Sequence, residues 1–294
     1  MSDTLEDLRH QIDGAEDLQS VVQTMKALAA TSIGQYEQSV RALSGYYRSV
    51  LLALGVCFRQ GGAGIGEPPA GRETIDARAV VVFGSDQGLV GRFNETVAEQ
   101  AIAALAEMPG EVRVWAVGER VHDRLVDAGL TVEPPFAVPG SVEGIVSLVG
   151  RVLLANESIV ARGQRAAFHL FYNRPARGEA YVPASQRLLP LDESWRHSVA
   201  NHQWPTGNLP EIVGDAGRTL RALLREYVFV SLFRACAESL ASDNASRLAA
   251  MQRADRNIEE LLDELQGRFH RHRQGSIDAE LFDLIASFEA LGDQ

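Results

Sequence analysis

The hydrophobic pattern divides the chain into three stretches with different periods. From the N-terminus, apolar or small residues recur in alternating steps of three and four: Leu5, Leu8, Ile12, Ala15, Leu18, Val22, Met25, Ala29, Ser32, Tyr36, Val40, Leu43, Tyr47, Val50, Leu54 and Cys57. That spacing keeps one stripe on one side of an α-helix, as in a coiled-coil seam. The last stretch repeats it through Leu209, Val213, Ala216, Leu220, Leu223, Tyr227, Ser231 and Ala235, and resumes at Leu240, Asn244, Leu248, Met251, Asp255, Ile258, Leu262, Leu265, Phe269 and His272. Ser32, Asn244 and Asp255 make the seam polar in places. All 11 prolines fall between Pro68 and Pro210, so both stretches lack the residue that most reliably stops a helix. The pattern predicts one helix over residues 1–58 and another over 209–291. At the helical rise they extend about 80 and about 120 Å, more than a globular domain of this size spans. Such stripes are buried against each other or against a partner, and each well-buried seam leucine contributes about 1.5–3 kcal/mol. Because the middle stretch returns the chain to its start, the simplest pairing is antiparallel, with the surplus of the longer helix projecting alone.

The middle stretch has a different texture. A link over residues 59–77, rich in glycine and proline from Gly61 to Pro69, leads to short apolar runs at Ala79–Phe83, Val112–Val117, Thr131–Glu133 and Ala166–Tyr172. Helical patterns lie between them, around Arg92–Ala106, Glu119–Ala128 and Val142–Ala161. Near-continuous apolar strands alternating with helices predict a mainly parallel, Rossmann-like α/β domain over 78–205, covered on both faces and inserted into the coiled coil. Its first strand runs into Gly84-Ser85-Asp86-Gln87-Gly88-Leu89-Val90-Gly91, a glycine-rich strand-to-helix turn of the sort that can cradle phosphate. The spacing matches neither the dinucleotide fingerprint nor a triphosphate loop ending in Gly-Lys-Ser/Thr. Gly84, Asp86, Gly88 and Gly91 are therefore read as a structural turn, with no cofactor.

Composition narrows the function further. The 46% hydrophobic content suffices for a substantial core, and a net charge of -11 argues against a surface devoted to nucleic acid or anionic lipid. The N-terminus leads into no apolar leader segment, and no apolar run is long enough to span a bilayer. Cys57 and Cys236 lie among apolar neighbours, as reduced buried thiols do in a reducing cytoplasm. The seven histidines form no metal set, and no nucleophile elbow or catalytic triad order is present. Composition and spacing alone offer no enzyme.

Glu238-Ser239-Leu240-Ala241-Ser242-Asp243-Asn244-Ala245-Ser246-Arg247-Leu248-Ala249-Ala250-Met251, followed by Ala254 and Asn257, resembles the C-terminal helix of F-type ATP synthase gamma subunits almost position by position. Arg271-His272-Arg273-Gln274, Ile277 and Glu280 resemble the family's Arg-x-Arg-Gln-x-x-Ile-x-x-Glu run. Ser85–Gly91 resembles its Ser-Asp-x-Gly-Leu-x-Gly turn, and Met25-Lys26 with Ala29-Ala30 resembles its Ala-Met-Lys-x-x-Ala-Ala helix. The likeness is weakest between Gly129 and Pro210. It implies a non-catalytic rotor shaft turning inside a ring of alternating alpha and beta subunits, its α/β domain near the epsilon subunit and the membrane ring of c subunits. Met25, Lys26, Arg271, Arg273, Gln274, Asp278 and Glu280 match positions expected to contact partners. Nucleotide and magnesium are implied to bind on the alpha and beta subunits, with none on this chain. The implied location is peripheral, on the cytoplasmic face of a bacterial inner membrane, with membrane contact only through the complex and no nucleic acid. Thr31-Ser32-Ile33-Gly34-Gln35 lacks the basic residues usual in the family, and Ile277-Asp278-Ala279-Glu280 replaces its Ile-Thr-x-Glu closing pattern. These departures suggest a divergent branch, such as the alternative, sodium-translocating F-type ATPases. The alternatives are a Rossmann-type enzyme with helical dimerisation arms, which needs a cofactor, and an unrelated coiled-coil scaffold, which self-associates without binding alpha and beta subunits.

Overall fold

A computed structural model describes residues 4–60, 77–108, 110–160, 166–208 and 210–292. The chain divides into two compact units, one of residues 1–29 with 248–294 and the other of residues 30–247. Two long helices pass through both: α1, Leu5–Gln60, and α6, Ala216–Gly292.

The larger unit is built on a four-stranded sheet in the order β2-β1-β3-β4, from β1 (Ala77–Phe83), β2 (Glu111–Val117), β3 (Ala166–Arg174) and β4 (Val182–Leu189). β1 pairs in parallel with β2 and β3, while β4 runs antiparallel to β3. Every residue of β1 is buried, the mark of a strand covered on both faces. Ala79, Val81 and Phe83 point to a core shared with α1, α6 and α4 (Val142–Val160), through residues such as Leu54, Leu232, Ile145 and Leu148. Val80 and Val82 point the other way, onto Val97, Ala101 and Leu105 of α2 (Phe93–Ala106) and Val121 and Leu125 of α3 (Glu119–Asp127). The parallel α/β domain expected from the apolar runs is thus present, with α2, α3 and α4 in their expected places.

Within this unit α1 and α6 run antiparallel. The Tyr46 hydroxyl donates to Glu226 at 2.7 Å, and Gln60 Nε2 donates to the Pro210 carbonyl at 2.7 Å. Partner numbers therefore fall on one chain segment as they rise on the other. The Tyr47 and Tyr227 rings stack with centroids 6.3 Å apart.

Four local features differ from the sequence pattern. α6 begins at Ala216, with Pro210–Asp215 non-helical and Leu209 outside the described residues. The seam pattern overlooked a stronger start signal: the Asp215 carboxylate accepts from the N–H groups of Gly217 (2.8 Å) and Arg218 (3.3 Å), and Val213 is 92% exposed. α1 runs on to Gln60, its end held where Phe58 meets Trp195 edge-on. The expected strand at Thr131–Glu133 is only a pair of isolated bridges, Val114 with Val132 and Val117 with Phe136, laid along the outer edge of β2. Unanticipated are β4 and α5 (Glu193–Ala200), since β4 alternates between half-buried and exposed residues up to the buried Leu188 and carries Pro183, tolerated at a sheet edge. The link at residues 61–76 lies outside the described residues.

In the smaller unit, α1 and α6 pack through Ala15, Val22, Met251, Ile258 and Leu262, with Ile12, Met25, Ala250 and Ala254 against them. The buried α1 positions Leu8, Ala15, Val22 and Ala29 follow a seven-residue repeat, the seam read from the sequence. Leu18, counted in that seam, is 54% exposed. Farther along α6, Ile277, Leu281, Phe282, Leu284 and Ile285 are exposed.

Candidate functional site

The glycine-rich turn after β1 is fastened from three sides. Asn94, at the start of α2, accepts the Ser85 N–H on its Oδ1 (2.9 Å) and donates through Nδ2 to the Ser85 hydroxyl (2.8 Å). The Asp86 carboxylate accepts the Glu119 N–H at 3.0 Å on one oxygen and the Val138 N–H at 2.9 Å on the other. It therefore serves as the side-chain cap that Gly118, the residue before α3, cannot supply. Gly84 has no room for a side chain, because an added Cβ would stand 2.4 Å from Val121 Cβ and 2.7 Å from Asn94 Oδ1. Gly91 has φ +58, and Leu89 shares that left-handed region at φ 63, a conformation residues with a Cβ rarely adopt. Gly88 has open space around it.

The third side is α6. The Ser246 hydroxyl donates to the Val90 carbonyl at 2.5 Å, joining the long helix to the turn. One helical turn earlier, Asp243 receives both arms of the Arg247 guanidinium at 2.9 and 3.1 Å, and both side chains are nearly buried. Burial raises the Asp243 carboxyl above its ordinary value; Arg247 opposes the rise and the nearby Asp86 charge adds to it. Two carboxylates, Asp86 and Asp243, thus stand beside the turn, and the Ser85 N–H is already bonded within it. The arrangement can fasten the α/β domain to a helix; it contains no nucleophile with an activating base.

Of the partner-contact residues read from the sequence, Met25 is half-buried in the seam of the smaller unit. Lys26 is engaged by Asp255 across that seam. Arg271, Arg273, Gln274, Asp278 and Glu280 are exposed on α6, at least 16 residues beyond Asp255 (271 − 255). They share a unit with Met25 and Lys26 but no contact with them is described. Sequence reasoning gave no role to Asn94, Gly118, Asp243, Ser246 or Arg247. The Asp243–Arg247 spacing of four on a helix was the available signal.

A family model described as ATP synthase matches residues 4–291. The chain belongs to the ATP synthase gamma-subunit family. Among relatives, it is 27% identical over 305 residues to the ATP synthase gamma chain of Chelativorans sp. (strain BNC1), covering 98% of this chain and 99% of that one. The gamma chain of Fuscovulum blasticum is 26% identical over 299 residues, with the same coverage. A chain in the rotor of the Euglena gracilis mitochondrial ATP synthase, in rotational state 1, has a similar fold, with a TM-score of 0.58 at 17% identity over 93% of this chain and 98% of that chain. As a gamma subunit the chain is a non-catalytic component of its complex. No helix among the described residues is long and apolar enough to cross a membrane.

Proposed function

We infer that this chain is the central rotor shaft of an F-type ATP synthase, coupling ion flow through the membrane ring to ATP synthesis or hydrolysis in the alpha and beta subunits. The observation that carries the reading is the family match over residues 4–291, spanning both long helices and the domain inserted between them. The relatives are gamma chains, and the Euglena neighbour is part of a rotor. An asymmetric shaft that contacts its surroundings differently at each angle biases their open and closed states through differential contact. The partners of this reading are the alpha and beta subunits, the epsilon subunit and the c ring, at the cytoplasmic face of a bacterial inner membrane. Copurification from native membranes tests it: alpha, beta and epsilon recovered with the chain support it, and self-association without them points to a scaffold. The departures at Thr31–Gln35 and Asp278 support a divergent branch, such as the alternative F-type ATPases; the ion is chosen in the membrane ring, so the sodium dependence of ATP-driven transport tests the sodium-translocating assignment.

We also propose that the turn at Gly84–Gly91 binds no nucleotide and serves as a fastening. Asp86→Ala removes the acceptor of two backbone N–H groups, so the full chain should lose about 1–3 kcal/mol in urea unfolding. Calorimetry with ATP or NAD should show no saturable binding before or after the change. Saturable binding abolished by it would overturn the proposal.

Met25 and the exposed Arg271, Arg273, Gln274, Asp278 and Glu280 are proposed to face partner subunits. Met25→Lys places a flexible cation where an adaptable apolar side chain packs against the seam. The lysine stem can cover apolar surface while its ammonium reaches outward, so folding should survive. The assembled variant should still hydrolyse ATP but pump fewer ions per ATP, because a contact favouring one angle raises the barrier for leaving it. Unimpaired pumping would make Met25 an ordinary seam residue.

A further inference from the structure

The seam of the smaller unit mixes small side chains, Ala15 and Ala29 on α1 and Ala250 and Ala254 on α6, with larger apolar ones, among them Leu8 and Val22 on α1 and Met251, Ile258 and Leu262 on α6. The buried α1 positions repeat every seven residues, so apolar contact of the same kind is met again after a slip of one heptad, and burial alone specifies the register weakly. One ion pair crosses from α1 to α6 among the described residues of this unit: Lys26 Nζ donates to Asp255 Oδ2. The Asp255 side chain is 11% exposed, and its Oδ1 is buried without a hydrogen-bond partner. Lys26 is the only lysine in the 294-residue chain; the other 27 of its 28 basic residues are arginine. On α1 no other lysine or arginine stands between Arg9 and Arg41.

We propose that Lys26 and Asp255 form a register pin, a positioning pair that stops α1 and α6 sliding along each other and so keeps the shaft stiff enough to couple rotation to ion transport. The coupling step rests on the rotor reading; the pin itself does not. A slip of one heptad moves Asp255 about 10 Å along the seam, farther than a lysine side chain can follow. Arg9 and Arg41 stand 17 and 15 residues from position 26, too far to replace it. A one-turn slip offers Lys26 the exposed Glu259 but strands Asp255, whose burial makes an unpaired charge costly. Fixing register is the role for which buried polar groups in helical seams are best attested.

The pin is read in the full chain with one spin label on each helix, at Gln23→Cys on α1 and Gln252→Cys on α6. Both positions are exposed, while the native Cys57 and Cys236 are buried. The parent should give one narrow distance, and Lys26→Met should broaden or shift it. Lys26→Met with Asp255→Leu should regain thermal stability without the narrow distance, which separates register from stability. The exchanged pair, Lys26→Asp with Asp255→Lys, should restore the distance. In the assembled complex, Lys26→Met should lower the ions pumped per ATP and the exchanged pair should recover them. An unchanged distance in Lys26→Met overturns the pin. A changed distance with undiminished pumping overturns the coupling step and leaves the rotor assignment standing.

Discussion

Arg247→Met is expected to cost about 3–5 kcal/mol at neutral pH, because it leaves the Asp243 carboxylate buried beside the turn with no cation. The methionine keeps most of the arginine's apolar stem, so the loss reports the charge more than the packing. Its pH dependence gives the mechanism away. Burial holds the Asp243 carboxyl above its ordinary value in the folded chain, and Arg247 pulls it back. A carboxyl whose folded pKa is raised favours the folded state while it is protonated, and that contribution is lost as pH rises through the carboxylate range. Without Arg247 the rise is larger, so the gap to the parent chain should widen from acid to neutral pH. Urea unfolding at several pH values measures it, and a gap independent of pH would mean that packing, not the stranded charge, sets the loss. Adding Asp243→Leu to the variant should recover most of the stability, since an apolar pair of similar volume often replaces a buried ion pair without penalty.

Gly84→Ala should cost about 3 kcal/mol, at the upper end of the usual range for overpacking. The new methyl would stand 2.4 Å from Val121 Cβ and 2.7 Å from Asn94 Oδ1, and neither neighbour can yield freely. Val121 is fully buried in α3. Asn94 Oδ1 already holds the Ser85 N–H, so turning it away breaks the bond that shapes the turn. The control is Gly88→Ala, where a Cβ meets nothing within 4 Å and the change should be close to neutral. Equal urea midpoints for the two variants would show that the turn relaxes around position 84.

These energetics explain what was legible in the sequence and what was not. The seam from Leu8 to Cys57 could be read because one repeated contact decides most positions of a long helix, and burial follows it at Ala15, Val22, Ala29 and Tyr36, though not at Leu18. β1 could be read because burial on both faces leaves it almost no polar position. β4 and α5 escaped because an edge strand and a short helix carry weak patterns, and the start of α6 escaped because one carboxylate, Asp215, outweighed a run of apolar residues. For the site, glycine spacing located the turn, but the partners of Asp86 lie 33 and 52 residues away along the chain. No local pattern announces a bond of that range. Asp255 is a flaw in the seam by sequence alone, and a paired charge once Lys26 stands opposite it.

The two edges of the sheet bear on how the subunit survives before assembly. An open strand edge is a template for pairing with another molecule, and a chain waiting for partners is exposed to that hazard. Here β2 has the Val132 and Phe136 bridges along its outer side, and β4 carries Pro183, which has no N–H to offer a newcomer. Aggregation of the free subunit through its sheet is thereby discouraged at both margins, which leaves exposed apolar side chains such as Leu281, Phe282 and Ile285 on α6, rather than strand edges, as its open adhesive surface.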